Sequence, residues 1–279
     1  MDNIFYYDQM VNLLRKFARK KGFLEVPAQS RLSILAACEE PRTIVPFSFD
    51  NTFYPLPQTG QMWLEIELLK NPHLKGLYCI TTSYRNEPEI IENRHKKIFP
   101  MFEFEAKGTL EDLRNFEQEL LEFLGFEAPV SISYEEACQK YNVDILEADH
   151  EEELQKDLGD SISLEYFPRR TSPFWNMKHG GDGIYHKIDV LLHGMETIGS
   201  AERSTNVDEM RHDFLTISNG AYCKALFDAF GKDRVMKELD EYLSLPMFPR
   251  FGGGIGLTRL ARALELSGLF EDLAVLETV

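Results

Sequence analysis

The sequence predicts an α/β (α+β) fold, an antiparallel or mixed sheet flanked by helices. Three observations carry this prediction. Long β-type runs occur at Leu77–Tyr84, Ile98–Ala106 and His186–Gly194. Amphipathic helical segments separate or flank them, the pattern of sheets covered by helices. At 279 residues, 43% of them hydrophobic, the chain has enough apolar mass for a full core. With no internal repeat, low-complexity tract or long linker, one domain over residues 1–279 is the simplest organisation.

The first helix is expected from Ile4 to about Lys20. Phe5, Met10, Leu13, Leu14 and Phe17 recur at helical spacing, and Arg15, Lys16, Arg19 and Lys20 take the other face and the C-terminal end. Gly22 stops it. GFLEV then reads as a strand, and Thr43–Phe49 as another, broken by Pro46 and followed by a turn at Asp50–Asn51. A helix is expected over Gln61–Lys70, and another over Leu110–Leu124 with Leu113, Phe116, Leu120 and Leu121 on one side. The acidic run Glu147–Glu153 reads as a solvated helix face. Beyond Arg203 a long helical region runs to about Leu243, and Pro246 and Pro249 lead to a glycine run and a last helix.

Composition excludes several classes. No apolar stretch approaches the roughly 20 residues that cross a bilayer, and the N-terminus lacks the order of a signal peptide. A cytoplasmic protein with no membrane partner is expected. The 30 Lys and Arg against 46 Asp and Glu, a formal net charge of -16, argue against a general nucleic-acid binder, because a polyanion would be repelled over much of the surface. Cys38, Cys79, Cys138 and Cys223 form no CxxC pair, so neither a zinc knuckle nor a redox motif is suggested.

Three constellations carry chemistry. FGGGIGLTRL (251–260) places four glycines in five positions ahead of a helix expected to bury Leu257, Leu260, Ala261 and Leu264. The glycines permit close approach of a ligand, and Arg259 offers a cation in the first turn, although packing alone also produces glycine-rich strand-to-helix turns. In SYRNEPEIIENRHKKIFPMFEFE (83–105), strand alternation sends Arg85 and Glu87 to one side, and Arg94–His95 close the loop. An Arg beside a carboxylate is equally a cross-strand salt bridge. In KIDVLLHGMETIGSAERS (187–204), Asp189 and Glu196 are hard oxygen donors that can converge on Mg²⁺, with Arg203 following a small-residue segment. Two acids at this spacing are also commonly unrelated.

In order and spacing these segments resemble the signature elements of class II aminoacyl-tRNA synthetases, aspartate/asparagine branch. SYRNE with RHKKIFPMFE is similar to the second motif, GGGIGLTRL to the third, and ETIGSAER (196–203) to the EIxSGAQR of aspartate and asparagine enzymes. The resemblance spans roughly residues 22–264. It implies that Arg85 holds and polarises the ATP α-phosphate, Glu87 reads the adenine amino group and Phe99 stacks on the ring. His95 and Arg259 would bind the β- and γ-phosphates, with Arg94 and Gly256 also at the nucleotide. Asp189 and Glu196 would bind Mg²⁺. Catalysis would then be alignment and electrostatic stabilisation of an in-line displacement at phosphorus, with Arg85 and Arg259 as the catalytic residues.

For the amino acid, Arg203 matches the arginine that grips the substrate side chain. TGQMWLE (59–65) resembles the SGQLxxE of the asparagine branch, which implies that Gln61 and Glu65 face the substrate. Aspartate enzymes usually carry lysine where this chain has Leu64. An Arg with a Glu is a neutral pair suited to an amide, whereas an Arg with a Lys demands an anion. Glu39 matches the glutamate that binds the substrate ammonium, with Glu40 in place of the usual glycine.

Departures from the family pattern are equally informative. The first motif, about GFxEVxTP, reads GFLEVPAQ here, so the homodimer it helps to build is expected on an altered interface. The second motif begins near residue 83, which leaves no room for the anticodon-reading OB-fold domain of the tRNA ligases. The expectation is an ATP-dependent ligase forming an aminoacyl-adenylate from aspartate or asparagine, with ATP and Mg²⁺ as cofactors and tRNA disfavoured. Asparagine synthesis from aspartate and ammonia is the leading reaction. A truncated paralogue serving tRNA, a protein or another carrier is the alternative. A silent binding subunit would show erosion at Arg85, Glu87, Glu196 or Arg259, and all four are present.

Overall fold

Helix α1 (Ile4–Lys20) forms where its spacing predicts, burying Met10, Leu13, Leu14 and Phe17 and ending on Arg19 and Lys20. The computed structural model describes residues 4–29, 31–34, 43–87, 94 and 96–270. After α1 the chain enters β1 (Leu24–Glu25), and Arg15 reaches back to Glu25 at 2.8 Å. A separate hairpin, β2 (Pro46–Phe49) and β3 (Thr52–Pro55), turns at Asp50 and Asn51, both with positive φ as a tight hairpin turn requires. Pro46 therefore opens this strand rather than breaking it.

The elements that follow are α2 (Gln61–Lys70), β4 (Gly76–Tyr84), β5 (Ile98–Lys107) and α3 (Leu110–Phe123). Next come β6 (Val130–Ser133), α4 (Tyr134–Tyr141), α5 (Ala148–Leu158) and β7 (Ser161–Pro168). The hairpin strands β8 (His179–Gly181), β9 (Ile184–Leu192) and β10 (Met195–Glu202) lead to α6 (Val207–Thr216), α7 (Ala221–Phe230) and α8 (Lys232–Leu243). Among the described residues the last elements are β11 (Arg250–Gly256) and α9 (Leu257–Leu266).

Among the described residues the main sheet has nine strands in the order β1-β4-β5-β11-β10-β9-β7-β6, with β8 against β9. The β1–β4 and β6–β7 pairs are parallel, each joined by a crossover long enough for that, and the others are antiparallel. The expected class of fold is the one observed.

Strand alternation divides the core between two faces. On the back, α1, α3 and α9 cover Phe102, Phe104, Ile188, Val190, Phe251 and Ile255. On the front, α6, α7 and α8 pack over one part around Trp175, Tyr185 and Ala201, α4 and α5 over another around Leu164 and Leu191, and α2 over Leu77 and Cys79. Between these covers a strip of the front face stays open as a cleft.

Several local expectations change. The glycine run is a strand, β11, in the middle of the sheet rather than a turn. In α9, Ala263 is buried and Ala261 only packs partly against the core. The single helical region after Arg203 is three helices, interrupted where Ser218, Asn219 and Gly220 take left-handed φ. The strand expected to end at Gly194 ends at Leu192, and His193–Gly194 turn the chain back into β10.

Candidate active site

The cleft floor is built from β5, β11 and β10, and glycines make it possible. Gly252 lies opposite both Glu105 and Ala201 in the ladders. A Cβ there would come within 1.7 Å of the Glu105 Oε2, so only glycine lets that carboxylate cross over the strand. Two strand positions along, Gly199 faces Asp189 across the β9–β10 ladder. A Cβ on Gly199 would sit 2.9 Å from Glu196 Oε1 and 3.5 Å from Asp189 Oδ1. Backbone alone occupies the space between these two acids.

At one end of the cleft lies a buried charge cluster. Arg203 Nη2 donates to Gln61 Oε1 at 2.5 Å and to Glu105 Oε2 at 3.1 Å, while its Nε points between the two Glu105 oxygens at 3.3 and 3.4 Å. Gln61 is held in turn by Nε2 to the Gly253 carbonyl at 2.7 Å. Glu65 faces Arg250, Tyr242 and Asn176, accepting hydrogen bonds of 2.8, 2.7 and 2.6 Å, with Arg203 Nε at 3.6 Å. Arg203, Arg250, Glu65 and Glu105 have at most 1% of their side chains exposed, so two cations balance two anions inside the protein.

That arrangement refines the expectation for Glu65. Its oxygens are held within the cluster, whereas Gln61 and Arg203 line the cleft. Burial acts against ionisation of Glu65, but Arg203, Arg250 and the Tyr242 hydroxyl outweigh it and hold the carboxyl below its ordinary range. For Glu105 burial wins over the pull of Arg203, and the neighbouring Glu65 adds to it, so its pKa is pushed up to about 7. A neighbouring acid, Glu103, anchors the start of α2: it accepts from the Thr59 and Thr81 hydroxyls and, at 2.8 Å, from the Gly60 amide.

Cations gather at the other end. The backbone pairing of β4 and β5 continues through Arg85 N to the Lys97 carbonyl at 2.7 Å, which keeps Arg85 on the cleft side with its guanidinium 5.4 Å from the centre of the Phe99 ring. Asn86 N turns away to the Thr43 carbonyl, so strand alternation does not extend to Glu87, which lies half-buried beyond the strand. Arg259, in the first turn of α9, donates to the Glu196 carbonyl at 2.6 Å and stands 3.5 Å from its Oε2. Gly256 precedes that helix, and a Cβ on it would meet nothing closer than 3.9 Å.

Burial opposes ionisation of Glu196, but Arg259, Lys187 and Arg85 together hold its carboxyl below the ordinary value. Arg94 is tied down, donating to the Gly194 carbonyl at 3.2 Å and pairing with Glu151, whose Oε2 also accepts the Glu196 amide at 3.3 Å. The acidic run is therefore more than a solvated face: Glu151 on α5 braces the β9–β10 turn. Glu39 and His95 lie outside the described residues, as does Cys38.

Among the described residues no cluster of three or more His, Cys, Asp or Glu is placed to hold a metal ion. Asp189 and Glu196 are nonetheless a suitable donor set for Mg²⁺, which takes one or two carboxylates and completes its shell with water and phosphate oxygens. The open backbone at Gly199 between the two carboxylates fits that ion.

Solved structures share this fold. The asparaginyl-tRNA synthetase of Pyrococcus horikoshii complexed with asparaginyl-adenylate superposes with a TM-score of 0.77 at 21% identity, over 94% of this chain and 64% of that one. Entamoeba histolytica asparaginyl-tRNA synthetase gives 0.73 at 18%, covering 93% and 63%. A putative aspartyl-tRNA synthetase from Leishmania major Friedlin gives 0.73 at 15%, covering 92% and 61%. The chain thus spans slightly less than two thirds of each of these synthetases. No curated protein matches it. The fold is that of the class II synthetases. The chain belongs to the tRNA synthetases class II (D, K and N), the family that matches residues 1–267.

Sequence reasoning missed Lys187, Glu103, Glu105, Arg250, Asn176 and Tyr242. For Glu103 and Glu105 a signal exists: two acids on alternate positions of an otherwise apolar strand share one face. Lys187 has the same relation to Asp189. Arg250, Asn176 and Tyr242 are brought to Glu65 from distant segments, and nothing local marks them.

Proposed function

We propose that the protein is an ATP-dependent ligase that activates asparagine or aspartate as an aminoacyl-adenylate. The observation that carries this reading is the polarity of the cleft, with Arg85 and Arg259 at one end and the charge-balanced Arg203–Glu105–Gln61 group at the other. An amino acid held by its side chain at Arg203 directs its α-carboxylate toward Arg85. One carboxylate oxygen attacks the α-phosphorus of ATP, a new P–O bond forms, and the bond to the bridging oxygen breaks to release pyrophosphate. Arg85 and Arg259 stabilise the charge on the transferring and leaving phosphates without moving a proton. Asp189 and Glu196 would hold Mg²⁺, which neutralises nucleotide charge when bound.

An amide side chain suits the buried group as it stands. Its oxygen can accept from Arg203 and its NH2 can donate to Glu105, whereas an aspartate carboxylate would add a third anion to two cations. The second reading, asparagine synthesis from aspartate and ammonia, needs aspartate the other way round. Its α-carboxylate would sit at Arg203, its β-carboxylate would attack the α-phosphorus with release of pyrophosphate, and ammonia would displace AMP from the β-aspartyl-adenylate. The raised Glu105 favours a carboxylate at Arg203. Below about pH 7 that carboxyl is protonated, and Arg203 is left with charge for a substrate carboxylate. Aspartate should therefore gain on asparagine as pH falls through 7, and lose up to tenfold per pH unit above it. A preference that stays flat from pH 6 to 8.5 would remove Glu105 from specificity.

Pyrophosphate exchange across the amino acids tests the activity. Exchange with asparagine or aspartate is expected, together with its loss in Arg259→Ala at unchanged circular dichroism. Exchange with no amino acid would refute the reading. Labelled aspartate with ammonium then separates asparagine synthesis from transfer to a carrier, and the -16 charge favours a small-molecule or protein acceptor over tRNA. A homodimer is supported by β1, whose edge position leaves Leu24 half exposed. No helix of the described residues is long and apolar enough to cross a membrane.

A further inference from the structure

The chemistry proposed above gives no task to Lys187. It lies on β9 two residues before Asp189, on the same side of the sheet, and lines the cleft together with Arg85, Glu196 and Arg203. Its ammonium pairs with Asp189 Oδ2 and stands 3.9 Å from the centre of the Phe167 ring, with 17% of the side chain exposed. The other Asp189 oxygen, Oδ1, is the one that shares the space above Gly199 with Glu196. A monovalent cation built into the protein thus borders the position where the acid pair would take a divalent one.

We propose that Lys187 makes divalent-cation binding at Asp189 and Glu196 conditional on nucleotide. The inference rests on reading those two acids as the metal ligands. In the nucleotide-free protein the ammonium neutralises Asp189 and repels a second cation at the same carboxylates. A triphosphate brings several anionic oxygens to the cleft. The flexible stem of Lys187 can then carry its point charge from Asp189 to a phosphate, which a rigid guanidinium would do less readily. Nucleotide and metal would favour each other's binding through this one side chain, and by reciprocity each would tighten the other equally.

Mn²⁺ binding to the nucleotide-free protein, followed by loss of the free-ion electron paramagnetic resonance signal, tests this directly. Lys187→Met should bind Mn²⁺ at least tenfold more tightly than the unaltered chain, and Lys187→Gln should show the same gain if the Met variant fails to fold. Lys187→Arg, which keeps the charge, should show none. The gain should vanish in Lys187→Met/Glu196→Gln. In EDTA, ATP should bind Lys187→Met at least fivefold more weakly. Mn²⁺ affinities within twofold of the unaltered chain in folded Met and Gln variants would overturn the proposal, and leave Lys187 as a plain salt bridge.

A companion measurement separates the two layers of the argument. Proton relaxation enhancement reports Mn²⁺ held with a non-hydrolysable ATP analogue. If Glu196→Gln removes that enhancement while Lys187→Met gains nothing, the inference alone falls. If Glu196→Gln leaves it intact, the metal-ligand reading falls and takes the inference with it.

Discussion

Gly252 shows how one missing Cβ organises a site. Its neighbours across the ladder are a buried glutamate and a small residue, and the glutamate passes through the volume that any other side chain would fill. Gly252→Ala should therefore displace Glu105, cost about 1–3 kcal/mol by overpacking, and raise the KM for the amino acid more than that for ATP. Urea denaturation and steady-state exchange kinetics would read the two effects. A variant as stable and as active as the unaltered protein would mean that Glu105 does not need this path. The glycines were visible in the sequence, but glycine weakens strands, so a run of them reads locally as a turn. Pairing on both sides, with β5 and β10, overrides that preference.

Helix α5 shows the same limit one level up. Its acidic composition predicts a solvated face, and most of it is one, yet Glu151 is drawn in to join Arg94 to the amide of Glu196. Glu151→Ala should cost roughly 1.5–3 kcal/mol, the worth of hydrogen bonds to a charged group. It should also speed amide exchange at Glu196 by at least tenfold. Unchanged protection there would show that α5 does not brace the turn. Helices α1 and α2 were legible to the residue because their apolar spacing or their flanking loops define both ends. The break between α6 and α7 was legible in principle from Ser218–Asn219–Gly220, a turn-forming triplet within an otherwise helical run.

Across the whole molecule, buried acids set the response to pH. Burial raises Glu117 to about 8, partly against a 2.7 Å hydrogen bond from Ser200, and the nearby Asp189 adds to the effect. Burial likewise raises Glu105 to about 7. Both carboxyls hold protons in the folded state that the unfolded chain has already released above its ordinary value of 4.5. The stability they contribute is complete below that value and is lost as pH rises through 7 and 8. The melting temperature should fall between pH 5 and pH 8.5. Glu117→Gln should make that fall shallower, and an equal slope in both proteins would show that Glu117 does not carry its proton in the folded state.

The sequence by itself determined the class of fold, the segments that line the cleft and most of the charged groups in them. Strand and helix periodicity and short motifs are local properties, written within ten to twenty consecutive residues. Only the tertiary structure decided how those charges are shared. Arg203 meets Glu105 from 98 positions away, Glu65 meets Arg250 across 185, and Arg259 meets Glu196 across 63. Such pairings depend on which strands become neighbours and in what register, and that is settled by packing the two sheet faces together rather than by any single segment. The balance of two arginines against two glutamates, on which the choice between amide and carboxylate turns, exists only once β5, β10, β11 and α2 are side by side.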